Sequence, residues 1–152
     1  SISPPNFLYT GGRPGRFNSR GTQALYASED IATAGAEADR YLNGGYGSKE
    51  IYWIEASALV LDITKPANQA ALGLVAADLH TAWRFAPSPT KTQRLGDAVS
   101  GQTRLAGIRF EGNAALDRGF VGYNVVFFKT AFSSPNFLVI RDDNGNQIDR
   151  WG

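Results

Sequence analysis

The stretch Gly12–Leu42, GRPGRFNSRGTQALYASEDIATAGAEADRYL, decides how the chain is read. A Gly- and Pro-rich loop opens it, a short apolar strand follows at Ala24–Ala27, and a helix closes it. Ser28 is placed as the helix N-cap, with Glu29 and Asp30 favouring the positive end of the dipole. Over Glu29–Leu42 the residues Ile31, Ala34, Gly35, Ala38 and Leu42 recur at helical spacing and predict the core face. Asn43-Gly44-Gly45 stops the helix. Arg16 then lies in a glycine turn, Tyr26 near the end of the strand and Glu37 on the border of the helix's apolar face. A cation, a phenol and a carboxylate on three successive elements can meet around one cleft.

Outward from this segment the pattern stays mixed. Residues 1–23 read as a structured loop with an extended piece at Phe7–Tyr9, and Gly44–Ser48 as a glycine loop suited to act as a lid. Ile51–Ile63 has the β-branched and aromatic content of one bent strand or two short ones. Asn68–Phe85 predicts a second helix with the stripe Leu72, Val75, Ala76, Leu79 and Trp83. A polar connection over Pro87–Thr103 holds a short helix at Lys91–Val99. Strands are expected at Arg104–Phe110, Gly122–Lys129 and Phe137–Arg141. The last is paired with Gln147–Trp151 across DDNGN, where Asn144-Gly145 is a hairpin turn signal. The fold class is α+β: a single domain over residues 1–152, one central sheet of mixed and mostly antiparallel strands, and flanking helices.

Composition excludes several classes of function. With 43 % apolar and 19 % charged residues in 152, the chain can bury a proper core. No apolar run approaches the roughly 18 residues of a membrane span, so no membrane role is expected. The net charge is +1 and the 15 lysines and arginines are scattered, which argues against a nucleic-acid partner. There is no cysteine, and His80 is the only histidine, without a second ligand at metal-binding spacing; no metal site is expected. No Gly-x-Ser-x-Gly turn exists for a triad, nor a Gly-Lys-Ser/Thr phosphate loop. Methionine is absent, the initiator included, as in a piece processed or cut from a longer polypeptide or an engineered sequence.

What remains is chemistry that needs neither histidine nor metal. Breaking an N-glycosidic bond whose leaving group is already cationic, such as nicotinamide, requires little acid assistance. It requires a grip on the diphosphate, which an arginine fork provides, and a carboxylate to oppose the oxocarbenium-like transition state. Tyrosine can stack on a ring or turn its π-face to developing charge. Plainer readings stand beside each assignment. Glu37 can be a solvated helix glutamate, Arg16 a bridge between loop carbonyls and Tyr26 a core aromatic. Asn124, inside an apolar strand, either ties the backbone near the cleft or contacts substrate.

At these residues the chain resembles the RES-domain family of bacterial toxin–antitoxin toxins. The family pattern of Gly-Arg-aromatic-Asn, a glycine, an apolar-Tyr strand and a helical Glu is matched by Gly15-Arg16-Phe17-Asn18, Gly21, Leu25-Tyr26 and Glu37. Arg16, Tyr26 and Glu37 stand ten and eleven residues apart. More loosely, Gly107–Phe110, Tyr123–Phe127 and the tail Asp142–Trp151 resemble later family segments. One departure is Gly112, where the family carries its serine.

The resemblance implies a fold related to ADP-ribosyltransferase toxins and an activity that degrades NAD by hydrolysis or phosphorolysis. It implies Arg16, Tyr26 and Glu37 as catalytic residues, and Arg16, Phe17, Tyr26 and Asn124 as the substrate-binding set. NAD is then substrate, with no separate cofactor. The implied partner is a cognate antitoxin or immunity protein covering the cleft. The place of action is the bacterial cytoplasm, or a target cell entered as part of a longer effector. Two other functions remain open: a mono-ADP-ribosyltransferase modifying a protein, and an inactive interaction module of the same fold.

Overall fold

Seven strands and five helices, arranged as two sheets rather than one, are seen in a computed structural model that describes residues 12–41 and 50–152. The extended piece at Phe7–Tyr9, the end of the first helix beyond Tyr41 and the glycine loop Gly44–Ser48 lie outside the described residues. In chain order the elements are β1 (Ala24–Ser28), α1 (Ile31–Tyr41), β2 (Trp53–Ser57), β3 (Val60–Asp62), α2 (Pro66–Ala71) and α3 (Ala76–His80). They continue as α4 (Lys91–Ser100), β4 (Gly107–Glu111), α5 (Asn113–Asp117), β5 (Tyr123–Phe128), β6 (Phe137–Arg141) and β7 (Gln147–Trp151).

The first sheet has the order β1-β5-β4-β3, with only the β3/β4 pair parallel. The second has the order β2-β6-β7 and is antiparallel throughout. The expected single sheet divides because Ile51–Ile63 bends after Ser57. Its first half pairs with β6 and its second half with β4, so one continuous apolar segment crosses from sheet to sheet.

Strand alternation builds two cores on the two faces of the first sheet. Along β5, Val126 and Phe128 join Ile108, Phe110, Phe17, Ile63, Leu74 and Val99 on one face. Phe127 turns to the other face and meets Leu25, Phe132, Leu138, Ile140, Ile148 and Trp151, so this core cements one sheet to the other. Each fully buried aromatic or aliphatic side chain here contributes roughly 1.5–3 kcal/mol. The β6/β7 hairpin closes as the Asn-Gly signal requires: Gly145 has φ +81°, and the Asp142 N–H donates to Asn146 O at 2.9 Å.

Three helical expectations are corrected. Helix α1 begins at Ile31, and its cap is Asp30, whose carboxylate accepts from Thr33 N at 2.8 Å and from Thr33 Oγ1 at 3.0 Å. Ser28 is instead spent on Asn124. The inward face of α1 is Thr33 and Ala36, both essentially inaccessible, whereas Ile31 is 56 % exposed and Ala34 is exposed. A face of small residues leaves the hydrophobic phase weakly defined, and the aspartate cap and α5 set it instead. The helix expected at 68–85 is two short ones, because Gly73 adopts φ +64° and ends α2. That turn resets the phase: Leu74 is buried while Leu72 and Val75 face solvent.

Candidate active site

The turn Gly15–Asn18 is built on a buried asparagine. Asn18 donates from Nδ2 to the carbonyls of Arg13 (2.8 Å), Thr22 (3.2 Å) and Ser19 (3.3 Å). Its Oδ1 accepts from the Tyr26 hydroxyl at 2.7 Å, and that hydroxyl accepts from Phe17 N–H at 2.9 Å. The side chain of β1 thus locks the two residues that follow Arg16. No room is left around Gly15, where a Cβ would lie 2.6 Å from both Asn18 Oδ1 and Tyr26 Oη.

Helix α4 clamps the turn from the other side. Thr90 and Gln93 form a capping box, and Gln93 Nε2 then donates to Gly15 O at 2.9 Å. Asp97 accepts from Ser19 N (3.0 Å), from Thr22 Oγ1 (2.9 Å) and from the Ser19 hydroxyl. Between them Gly96 lets the helix backbone touch the turn: a Cβ there would lie 1.5 Å from Phe17 O. None of Gln93, Gly96 or Asp97 stood out in the sequence as a site residue. The local signal at hand is the Thr90-x-x-Gln93 capping-box spacing, and nothing in it points to the distant turn.

Of the three neighbouring arginines, Arg13 and Arg20 are exposed and Arg16 is half-buried. Arg16 Nη1 donates to Leu79 O (3.0 Å) and Thr81 O (3.2 Å) at the end of α3. The carbonyl-bridging reading is therefore present in the structure. Arg16 also lines a cavity of about 40 Å³ with Phe17, Phe110, Glu111, His80 and Asn113 among its walls. Phe17 is 1 % exposed, and its ring sits 4.5 Å from that of Phe110, so it belongs to the first core as much as to the cavity. Asn113 donates to the same Leu79 carbonyl at 3.2 Å, which directs its Oδ1 toward His80 Nδ1 at 2.7 Å. An amide oxygen only accepts, so the network assigns the proton to Nδ1. His80 is a surface residue.

Glu37 is reached through the residue preceding Asn113. A Cβ on Gly112 would lie 3.4 Å from Glu37 Oε1 and 3.0 Å from Asn124 Nδ2, so the carboxylate abuts this glycine. Asn124, 5 % exposed, donates from Nδ2 to Glu37 Oε1 at 3.0 Å and accepts from Ser28 Oγ at 2.6 Å. Of its two expected roles, the structure displays a tie, made to the carboxylate side chain rather than to backbone. Asp39 turns away from Glu37 and pairs with Arg118 at 2.8 Å.

Arg16 and Glu37 come to neighbouring residues at one end of the first sheet without sharing a pocket. Arg16 shares the Leu79 carbonyl with Asn113, Glu37 abuts Gly112, and the cavity beside Arg16 is not lined by Glu37, Tyr26 or Asn124. Tyr26 stands behind the turn, its ring edge-on to Phe110 at 6.5 Å. Among the described residues no helix is long and apolar enough to cross a membrane.

Comparison with curated proteins and with solved structures gives no match. Comparison with protein families matches residues 3–142 to the RES domain, a span that takes in the arginine turn, Glu37, Gly112 and Asn124. Such membership is consistent with a toxin-like, NAD-related enzymatic domain. With nearly the whole chain covered by that match, the protein belongs to the RES-domain family.

Proposed function

We propose that the protein degrades NAD by cleaving the bond between nicotinamide and ribose. The observation that carries this reading is the Glu37 carboxylate, oriented by Asn124 and bordered by a residue with no side chain, at the end of β4 against which Phe17 of the arginine turn packs. In the reaction the C1′–N bond breaks and its electron pair returns to the pyridinium nitrogen, releasing neutral nicotinamide. Glu37 opposes the positive charge left on the ribose and accepts from a ribose hydroxyl. Arg16 holds the diphosphate. Water then adds at C1′ and loses a proton to solvent, or inorganic phosphate adds in its place. Tyr26 supports this through the turn. Its hydroxyl is engaged by Asn18 and Phe17, which makes its contribution one of holding Arg16 in place. A cognate antitoxin over the cleft, a relation to ADP-ribosyltransferase toxins and action in the bacterial cytoplasm or in a target cell belong to the same proposal.

The test is nicotinamide release from NAD, with and without phosphate, by the wild-type protein and by Glu37→Gln. Gln keeps an acceptor for Asn124 and removes the charge. Wild-type release that falls by about a hundredfold or more in Glu37→Gln, at an unchanged melting temperature, supports the proposal. A dependence on phosphate identifies the acceptor.

One observation favours a second reading, an inactive member that serves as an interaction module. The cavity beside Arg16, about 40 Å³, has room for roughly three waters, far less than a nucleotide occupies, and two carbonyls already hold Nη1 of that arginine. Folded protein that releases no nicotinamide and gives no calorimetric signal with NAD would establish that reading in place of the first.

A further inference from the structure

We propose that Ser28 is a positioning residue for the Glu37 carboxylate and acts through Asn124; the inference rests on Glu37 being the carboxylate of the proposed reaction. The three groups form a directed chain. An ionised carboxylate can only accept, so the end of the Asn124 amide that faces Glu37 must be Nδ2, at 3.0 Å. Oδ1 then faces Ser28, whose hydroxyl must be the donor at 2.6 Å. Every proton in the chain is thereby assigned, and each bond polarises the next in the same direction.

The backbone makes this arrangement rigid at one end and adjustable at the other. Ser28 and Asn124 are direct partners in the β1/β5 register, and Phe110 is the partner of Asn124 on the far side. Asn124 is therefore held between two strands and nearly excluded from solvent, while Glu37 comes from α1, which is not part of the sheet and packs chiefly against α5. Without the Ser28 hydroxyl, Asn124 Oδ1 would be a buried acceptor lacking its partner, and the amide would be free to swing toward another donor. The carboxylate would then lose the side chain that, among the described residues, hydrogen-bonds it. Gly112, which packs directly against the pair, has no side chain to offer as a substitute. Nor does the hydroxyl serve α1, whose cap is Asp30.

The experiment compares Ser28→Ala and Ser28→Thr with the wild type by steady-state nicotinamide release from NAD. Ser28→Ala is expected to lower kcat by about tenfold to a hundredfold, the scale of a displaced catalytic group. KM should change little, and the orphaned Asn124 oxygen should lower the melting temperature by several degrees without unfolding the protein at assay temperature. Ser28→Thr, which keeps the hydroxyl, should restore both kcat and melting temperature. In an Asn124→Ala background Ser28→Ala should have no further effect, since the two act as one unit. A kcat unchanged in Ser28→Ala, a threonine variant as impaired as the alanine one, or a full extra loss in the Asn124→Ala background would each overturn the proposal.

A readout independent of activity is the side-chain amide of Asn124 in heteronuclear NMR. In the wild type it should be protected from solvent exchange, and in Ser28→Ala it should shift and exchange faster. If the wild-type protein releases no nicotinamide, the proposed function falls. The amide signal then still decides whether Ser28 holds Asn124, and an unaltered signal overturns that as well.

Discussion

The hydroxyl of Tyr26 accepts from Phe17 N–H and donates to Asn18 Oδ1, so it closes the turn that carries Arg16. Tyr26→Phe removes both partners at once and leaves a fully buried asparagine oxygen without this donor. The expected loss of stability is about 1–3 kcal/mol, read by urea denaturation, with a fall in nicotinamide release as Arg16 loses its support. A variant as stable as wild type but inactive would place the hydroxyl in the chemistry instead. At this scale the candidates come from two sources. Arg16, Tyr26 and Glu37 are singled out by their spacing on three successive elements and by the family resemblance, since each alone has an ordinary structural reading. Asn124 stands out as a polar residue inside an apolar strand. Ser28 was misassigned for an instructive reason: serine ahead of two acidic residues is a good cap by local rules, but Asp30 competes for the same amides and wins. Nothing local announced that the partner of Ser28 lies 96 residues away.

Helix α4 is the element that fixes the arginine turn, and Gly96 is where the two backbones come closest. A methyl group there would meet Phe17 O at 1.5 Å and Phe17 C at 2.5 Å, both backbone atoms that cannot rotate aside. Gly96→Ala is expected to cost about 3 kcal/mol or more, measured by chemical denaturation, because either the helix or the turn must move. Retention of wild-type stability would show that the helix can retreat from the turn. A short helix at Lys91–Val99 is expected within the polar connection, and α4 spans Lys91–Ser100. Its role was not legible, since a glycine inside a helix reads locally as a weakness, and only the contact with Phe17 makes it a requirement. The same limit explains α2 and α3. A periodic stripe over residues 68–85 favoured one helix, and the left-handed Gly73 divided it.

Across the whole molecule, ion pairs join segments far apart in sequence, and hydrogen bonds to aspartates, with ion pairs beside some of them, set the response to acid. Arg109 bonds Glu29 at 2.5 Å and Asp62 at 3.2 Å and lies 4.1 Å from the Tyr123 ring centre. Burial alone would raise the Asp62 pKa, but hydrogen bonds from the Thr64 hydroxyl and amide, with Arg109 beside it, outweigh that and hold it below the ordinary range. Asp78 is lowered chiefly by the Val75 amide and Asp142 chiefly by the Asn146 amide. Groups with depressed folded pKa values contribute stability that is complete above the unfolded value, near 3.9 for aspartate, and is lost as pH falls through the folded values. Melting temperature should therefore hold from pH 7 to about 5 and drop below about 4, and Asp62→Asn should flatten that drop. An acid limb unaltered in Asp62→Asn would assign it to other groups.

By itself the sequence determined the class of the fold, the β6/β7 hairpin and the strands of the later half, and it nominated the candidate residues Arg16, Tyr26, Glu37 and Asn124. The elements follow from short-range alternation and turn chemistry, the candidates from their spacing, a polar residue in an apolar strand and the family resemblance. Only the tertiary structure decided that there are two sheets, that α4 buttresses the arginine turn, and that Ser28 and Asn124 hold Glu37. Strand partners and helix-to-loop contacts are chosen by which buried surfaces and polar groups satisfy one another across the molecule, and that choice leaves no periodic trace along the chain.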